Sequence, residues 1–351
     1  PESYQWNLTI SREIVKNTVL EASYIGNHGL HIWRRNVPFN DIPPNVPCKG
    51  GDCDPTLPND ARFQIASRVR KGLSTDAMVS ANRWFPGIGN IDMTESTGNS
   101  SYHAMQLWLN RRFAERLAFQ ASYTWGHAIS DVSLTPYTNS VSDPFNYKLD
   151  KGDADLDRRH MFIGNVVYVL PSFNQWGSLA NAVLGDWQIN GIFSYFGSTP
   201  LEQGTAGGVT SGVNTVGLSS NNGQRPNLVP GVPIYLNTSD STLFLNPAAF
   251  SLPAVGQQGS LGKGAIRGKG TTNVDFSINK NWRLRERYGI QFRAEIFNLF
   301  NHTNFVGYDS GLQLQGNQTE SNFGQSTNGA FGTLFDALRP REIQFGLKFT
   351  F

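Results

Sequence analysis

An acidic cluster near the middle of the sequence is the first group whose residue types could bind a metal. Its carboxylates belong to Asp150, Asp153, Asp155 and Asp157. Calcium prefers such oxygen ligands, but the spacing is not that of a calcium-binding loop and no glycine falls at the position of the sharp turn. Arg158 and Arg159 follow directly. The pattern therefore favours a solvated loop with local ion pairs over a calcium site.

The histidines and serines give no catalytic or metal-binding pattern. The histidines are scattered, without a pair at ligand spacing on a helix, at positions 28, 31, 103, 127, 160 and 302. His28 and His31 could meet a metal-bearing substrate, although such residues are more often simply exposed. No serine stands in a nucleophile-elbow context. The sequence therefore predicts no catalytic residue, no resident metal and no cofactor, and a protein that is not an enzyme.

The only two cysteines lie close together in a loop rich in proline and glycine. Cys48 and Cys53 are five positions apart, and no histidine lies between them. Such a pair favours a small disulfide loop over a metal site. A disulfide in turn indicates an oxidising compartment outside the cytoplasm.

Composition excludes two broad classes of protein. Of the 351 residues only 16% are charged and the net charge is +2, which does not indicate a nucleic-acid partner. The mean hydropathy is −0.34, and no apolar run reaches the ~18 residues of a helical span. A transmembrane barrel remains compatible, because strands that turn every second residue toward a polar lumen give no hydropathy peak.

The last residues alternate without a break. Gln344, Gly346, Lys348 and Thr350 fall between five apolar residues, which are Ile343, Phe345, Leu347, Phe349 and Phe351. Side chains of a strand point to opposite faces, so one face is wholly apolar and the other polar. The pattern is typical of the last strand of a transmembrane barrel or of a soluble β-sandwich. These residues alone leave both interpretations open.

The same period recurs along the chain and predicts antiparallel pairs of strands. The predicted strands cover about 4–15, 20–25, 105–110, 117–126, 162–170, 187–195, 274–282 and 290–296. No helix of ordinary length has a usable pattern. Bulky amphipathic residues on the apolar face are expected at interfacial girdles, and they are Trp6, Tyr24, Tyr123, Trp125, Trp187 and Tyr195. The opposite face is expected to carry a polar, lumen-facing wall of Asp275, Arg293, Glu295 and Lys348.

The predicted connections alternate between short and long. Short connections lie at 16–17, 113–116, 171–185 and 285–287, whereas the long polar ones lie at 26–86, 130–160, 197–270 and 301–340. Transmembrane barrels have short periplasmic turns on one rim and long loops on the other, and a sandwich has no reason to sort its loops in this way. The sequence therefore predicts an all-β, antiparallel transmembrane β-barrel in the outer membrane of a Gram-negative bacterium, with long extracellular loops.

Several phrases resemble the C-terminal barrel of TonB-dependent outer-membrane receptors, in particular the Oar-like branch. They are spread over almost the whole chain in family order: YQWNL at 4–8, GNSSYHAMQL at 98–107, ASYTW at 121–125, DRRH at 157–160, RPNL at 225–228, NPAAF at 246–250 and FRAEIFNLFNH at 292–302. The terminal Phe351 and the alternating residues before it resemble the signal that the barrel-assembly machinery reads.

The resemblance implies a larger receptor. Family barrels have about 22 strands, a size whose lumen needs a plug, whereas about eight to ten strands are predicted here. We therefore expect residues 1–351 to be the C-terminal portion of a barrel, without the plug domain, the TonB-contacting segment and the N-terminal β-sandwich domain. The chain opens at Pro1 rather than Met, which fits a fragment or a processed product. The polar wall would then face the plug.

Three functions follow as hypotheses. The first is active import, in which the long loops capture an extracellular ligand and energy delivered through the TonB complex moves it inward. Siderophores, cobalamin, glycans and peptides all remain open as ligands. The second is a non-transporting barrel in outer-membrane lipid that anchors adhesive surface loops. The third is a soluble secreted β-sandwich with carbohydrate-binding loops.

Overall fold

The computed structural model describes residues 1–132, 141–201, 213–218, 224–237, 243–285, 288–308, 312, 314, 331 and 333–351. Strands dominate these residues. In chain order they are β1 (Glu2–Val15), β2 (Thr18–Pro38), β3 (Asp92–Ala114), β4 (Leu117–Ser130), β5 (Gly152–Asp153), β6 (His160–Val169), β7 (Gln188–Phe196), β8 (Asn227–Leu228), β9 (Phe250–Ser251), β10 (Thr271–Arg285), β11 (Tyr288–Phe297), β12 (Phe305–Tyr308), β13 (Leu334–Ala337) and β14 (Glu342–Thr350).

The long strands form one antiparallel sheet in the order β1-β2-β3-β4-β6-β7-β10-β11-β14, and β5 pairs with the end of β4. Each long strand thus pairs with the next long strand along the chain. β1 and β14 are the two edges and, within the described residues, do not pair with each other. The predicted all-β antiparallel architecture is confirmed. A soluble sandwich does not fit, because a sandwich needs two facing sheets and the long strands form a single one.

Register makes the apolar faces of the separate strands continuous. One row crosses six strands through directly opposed residues: Leu117, Tyr168, Ile189, Ile278, Ala294 and Phe345. A second row on the other face is polar and runs through Ser277, Glu295 and Gln344. Because the side-chain period of a strand is two, a slip of one residue would exchange these faces. The alternation of the sequence therefore excludes registers that differ by one residue.

The bounds predicted for the first long connection were wrong. The connection was expected at 26–86, but β2 continues to Pro38 and β3 begins at Asp92, which leaves residues 39–91 between them. The pairing shifts register between Gly29 and Ile32 and again between Arg34 and Val37. Such bulges break the period of two on which the prediction relied.

The sequence has no usable pattern for a helix of ordinary length, and the helices of the described residues are short. The described residues contain α1 (Ala61–Arg70), α2 (Asp76–Asn82), α3 (Ser178–Leu184) and short 3₁₀ turns at Tyr147–Asp150, Asn174–Trp176 and Pro247–Ala249. Asp60 starts α1 by accepting a hydrogen bond from the backbone N–H of Phe63 at 2.8 Å. None of the helices in the described part of the chain is long and apolar enough to cross a membrane.

The buried apolar residues lie mainly in the connections on the long-loop side, which we call the loop cap: 39–91, 131–159, 197–270 and 298–341. One cluster centres on Leu245, Leu261, Ile266 and Leu312. A smaller one joins Ile42, Ala61, Ile65 and Met78. Among the described residues, only Val37 and Ala104 of the long strands belong to the buried apolar set. The hydrophobic core of this chain therefore lies in the loop cap rather than against the sheet.

Candidate functional site

Ion pairs attach the loop cap to the rim of the sheet. The carboxylates of Asp153 and Asp157 both accept a hydrogen bond from Nη1 of Arg267, at 2.8 and 2.9 Å. Arg159 donates to the same two carboxylates from the start of β6, at 2.9 and 2.7 Å. His127 of β4 lies 2.9 Å from Asp153. Two strands and the connection 197–270 are therefore held together at one point.

The acidic cluster of the sequence is distributed over separate cationic partners. His127, Asp153 and Asp157 do bring possible metal-ligand atoms within 4.8 Å of one another. Arg159 and Arg267 occupy the same carboxylates, however, and a cation there would meet their charge. Asp150 pairs with Arg225, and Asp155 lies 4.0 Å from Lys263. The cluster therefore forms ion pairs. Some of its cationic partners are adjacent in sequence, and others lie about a hundred positions away.

Asp153 is stabilised in its charged form. Although burial raises its pKa, hydrogen bonds from His127 and Arg159 outweigh this effect and hold the pKa of Asp153 below its usual range. The charged form of its carboxylate therefore persists to lower pH than that of a free aspartate.

The pair of Asp150 and Arg225 is more deeply buried. Their side chains are 7% and 4% exposed, and the charged atoms lie 3.1 Å apart. Burial raises the pKa of Asp150, while hydrogen bonds from Ser142 and the charge of Arg225 act against that rise. Burial also lowers the pKa of Arg225. Arg225 further donates to the carbonyl of Leu149 at 2.9 Å, so the connection 197–270 is tied to 141–150 by a desolvated contact.

A cleft of about 620 Å³ opens on the polar face of the sheet, at the loop-side ends of β7, β10, β11 and β14. Asparagine and glutamine side chains contribute to its lining, as do the carboxylates of Asp275 and Glu342. Its lining comprises Ser194, Phe196, Thr271, Asn273, Asp275, Phe297, Asn298, Asn304, Leu338, Arg339, Pro340, Glu342 and Gln344. Clefts that combine apolar surface with a few polar groups are the usual form of a small-ligand site.

Asp275 and the asparagines hold the shape of this cleft. The Asp275 carboxylate accepts from Nδ2 of Asn273 at 2.8 Å and from the backbone N–H of Asn298 at 2.9 Å. Nδ2 of Asn298 in turn donates to the carbonyl of His302 at 3.0 Å. Asn304 bridges to both backbone groups of Thr272. The chain after β11 is therefore fastened back onto the end of β10.

The four residues of the predicted polar wall share the polar face but not one site. Asp275 lines the cleft. Arg293 and Glu295 lie further along β11 and approach to 3.6 Å, with side chains 50% and 32% exposed. Lys348 stands opposite Gln291, near the short-turn end of β14. Their role as a wall against another part of the molecule stays a prediction.

The terminal apolar residues lie along the outer face of β14. Phe345, Leu347 and Phe349 are 74%, 60% and 61% exposed, Ile343 is 53% exposed and Phe351 95%. Cys48 and Cys53 are joined by a disulfide in the loop cap, with their Cα atoms 6.0 Å apart. Cys48 also packs against the cluster around Ile42.

Sequence reasoning missed the residues that form the cleft beside Asp275. Asn298 and Asn301 have positive φ angles of 49° and 51°, a conformation that asparagine tolerates better than most residues. The asparagine-rich run after β11 was the available signal. Asn304, Leu338 and Arg339 gave none, because their approach depends on contacts between segments distant in sequence.

Similarity to known proteins is clearest at the level of the family. The family described as Outer membrane beta barrel domain matches residues 1–344. No curated protein has a matching sequence. The outer membrane transporter YddB from Escherichia coli superposes with a TM-score of 0.42 at 7% identity, over 98% of this chain and 32% of that one. A mutant of the ferric enterobactin receptor PfeA from Pseudomonas aeruginosa gives 0.40 at 10% identity, over 99% and 31%. The chain thus spans about a third of these solved chains.

Proposed function

This chain belongs to the outer membrane beta barrel domain family, and from this premise we propose that it forms the C-terminal portion of the barrel of a ligand-importing, TonB-dependent receptor. Membership of the family assigns it to the outer membrane of a Gram-negative bacterium, with the apolar face of the sheet toward lipid. In the proposed mechanism the loop cap captures an extracellular ligand, and energy from the TonB complex drives its entry.

The cleft beside Asp275 is the observation that carries the proposal. It lies on the polar face of the sheet, at the strand ends that meet the loop cap. A ligand entering from the extracellular side would therefore meet it at the mouth of the lumen. The amides of Asn273 and Gln344 both donate and accept hydrogen bonds, which suits a polar, hydroxyl- or amide-bearing ligand.

The remaining assignments belong to the same proposal. Arg293, Glu295 and Lys348 would contact a plug domain inside the complete barrel, and the alternating residues from Ile343 to Phe351 would be read by the barrel-assembly machinery. Both are consistent with the resemblance of the sequence to TonB-dependent receptors. Neither role involves a reaction at this chain's residues, so no catalytic residue, metal or cofactor is assigned.

Uptake by cells that carry the complete protein tests the proposal. A panel of labelled siderophores, cobalamin, oligosaccharides and peptides would be offered with and without a functional TonB complex. Ser194→Trp would fill the cleft and is expected to abolish uptake of the recognised ligand. Gln120→Trp, on the polar face of β4 away from the cleft, is the matched control and is expected to retain it.

Each outcome separates the alternatives. Uptake that requires TonB and is lost only in Ser194→Trp supports import through this cleft. Uptake that is insensitive to both variants contradicts the assignment of the cleft. Binding of cells to a surface ligand, with no TonB-dependent uptake of any member of the panel, would favour the anchor of adhesive loops instead.

A further inference from the structure

The connection between β6 and β7 differs from the other short-side connections, because it carries a helix. Residues 171–185 contain α3 and no charged side chain. The segment nevertheless exposes large apolar groups: Trp176 is 63% exposed, Leu179 78%, Val183 56% and Leu184 48%. Leu179 and Val183 are four residues apart and share one face of the helix. An uncharged segment with this exposure is unusual at a rim that faces water.

Three donors from the apolar face of the sheet hold this helix. Nζ of Lys280 donates to the carbonyl oxygens of Asn181, at 3.0 Å, and of Gly185. Nε1 of Trp282 donates to the carbonyl of Ala182 at 2.7 Å. Nε1 of Trp187 reaches the carbonyl of Val183 at the same distance. The carbonyls of Ala182 and Val183, in the last turn that a helix leaves unpaired, are therefore bonded by the two tryptophans, while the carbonyl of Asn181 accepts from both Lys280 and the backbone N–H of Gly185.

The position of Lys280 fixes the side of the sheet on which α3 lies. Lys280 stands opposite Phe292, and Trp282 stands opposite Ile290, so both belong to the apolar, lipid-facing rows. A lysine on that face costs several kcal/mol at the centre of a bilayer and less toward the interface. Here the side chain is only 3% exposed, and the rings of Trp187 and Trp282 lie 5.5 and 5.7 Å from its nitrogen. The helix covers the charge from the membrane side.

We propose that α3 is an interfacial helix that binds phospholipid of the periplasmic leaflet. Its exposed residues continue the lipid-facing surface of the sheet at the short-turn rim, where a barrel meets the periplasmic interface. Uncharged segments with tryptophan and leucine lie at such boundaries with their apolar side chains among the acyl chains. Lys280 is the positioning residue that holds the helix against the barrel at that depth.

A lipid-borne quencher tests this surface in the membrane-inserted protein. Cys48 and Cys53 are bonded to each other, so a single introduced thiol can be labelled selectively. Leu179→Cys would carry a fluorophore in vesicles of phosphatidylethanolamine and phosphatidylglycerol containing doxyl-lipid. Glu115→Cys, in the turn between β3 and β4, is the control, because the Glu115 side chain is 88% exposed on the same rim.

The label at 179 is expected to be quenched several-fold more by the doxyl-lipid than by aqueous iodide, and the label at 115 to show the reverse. Preferential quenching by iodide at 179 would overturn the proposal, because it would place α3 in water. Protection at 179 from both quenchers would also overturn it, because a protein partner would then cover the helix.

A second variant tests the positioning role without depending on the first. A nitroxide at 179 reports the mobility of α3 in its spectral line shape. Lys280→Met keeps the length of the side chain but removes its three donors, and it is expected to raise this mobility several-fold. Lys16→Met, in the exposed turn between β1 and β2, should leave the line shape unchanged. An unchanged line shape in Lys280→Met would remove Lys280 from the proposal.

Discussion

Leu245 in the loop cap is fully buried, whereas Leu347 in β14 is 60% exposed. Leu245 lies in a cluster of apolar side chains supplied by loops. Leu347 stands on the apolar face of the sheet, where the described chain leaves most of its side chain exposed. The apolar side chains of the loop cap are shielded from water by other parts of the chain, whereas those on the outer face of the sheet are shielded by lipid. The same residue type is therefore stabilised by protein packing in one region and by the membrane in the other.

The charged residues show the same contrast. In the loop cap, Asp150 and Arg225 form a pair that is almost fully desolvated. On the polar face of the sheet, the side chains of Arg293 and Glu295 are 50% and 32% exposed. Exposed pairs contribute little to stability, whereas breaking a buried pair leaves an uncompensated charge. Substitutions should therefore act locally, and with different size, in the two regions.

The largest effect is expected from Arg225→Ala. The change leaves the carboxylate of Asp150 buried without its cation, at a cost of about 3 to 5 kcal/mol in the local stability of the loop cap. Hydrogen exchange of the Ser142 amide, which donates to Asp150, measures this loss. Arg339→Ala is the matched control, since its pair with Glu342 is exposed and should contribute less than about 1 kcal/mol. Equal hydrogen-exchange rates in the two variants would contradict the expected difference between the buried and the exposed ion pair.

Truncation of leucine compares the two apolar regions directly. Leu245→Ala creates a cavity and should cost about 3 kcal/mol in the local stability of the loop cap. Leu347→Ala leaves no cavity, because lipid chains can fill the space, and should cost only the lost transfer free energy of the removed carbons, about 2 kcal/mol. Hydrogen exchange of the loop cap and urea unfolding of the sheet in vesicles measure the two losses. A larger loss for Leu347→Ala would show that β14 packs against protein instead.

Adjacent residues of β7 separate the two faces of the sheet. Phe193 and Ile192 are 37% and 49% exposed, but they point to opposite sides. Phe193→Arg places a charge in lipid and should destabilise the sheet by about 2 kcal/mol, depending on depth. Ile192→Arg faces the lumen and should change the unfolding free energy little. Urea unfolding in vesicles compares them, and similar losses would contradict the assignment of the faces.

The smallest effect expected is that of acid on the loop cap. The folded-state pKa of Asp153 is depressed, so its contribution is present above the unfolded-state value of about 3.9 and is lost as the pH falls through the folded-state value. His127, Arg159, Arg267 and Asp157 face the carboxylate. Proteolysis of 197–270 should therefore accelerate below about pH 4 in the wild type. The acceleration should be weaker in Asp153→Asn, and an equal one would assign the effect to another group.

The sequence was informative wherever one face of a strand meets lipid and the other water. That contrast imposes the period of two, so the rows through Ile278, Ala294 and Phe345 could be predicted. Outside the membrane both faces of a strand can meet water or other protein, so the period of two is no longer imposed. The bulges near Ile32 interrupt the alternation of β2 there. The helix α1 had a start signal in Asp60, but few residues of clear period follow it.

The candidate site could be predicted only in part. Asp275 was placed on the polar face from its alternation with Val274 and Phe276. The partners that complete the cleft approach from segments about 30 to 70 residues away in sequence, as Asn304 does to Thr272. A pattern within one strand carries no information about such contacts.

The order of strands in the sheet has a consequence for the time course of folding. Strands joined by a short connection, such as β1 with β2 and β10 with β11, can pair first as hairpins, whereas pairing across a long connection joins residues as distant as Thr18 and Arg111. The contacts of the loop cap join distant residues, such as Arg225 to Asp150, which are 75 positions apart, and Arg34 to the carbonyl of Asp131, 97 positions apart. Folding slows as the sequence separation of contacts grows. We therefore expect the hairpins at the short connections to form first, and the loop cap to close together with the strand pairing across the long connections.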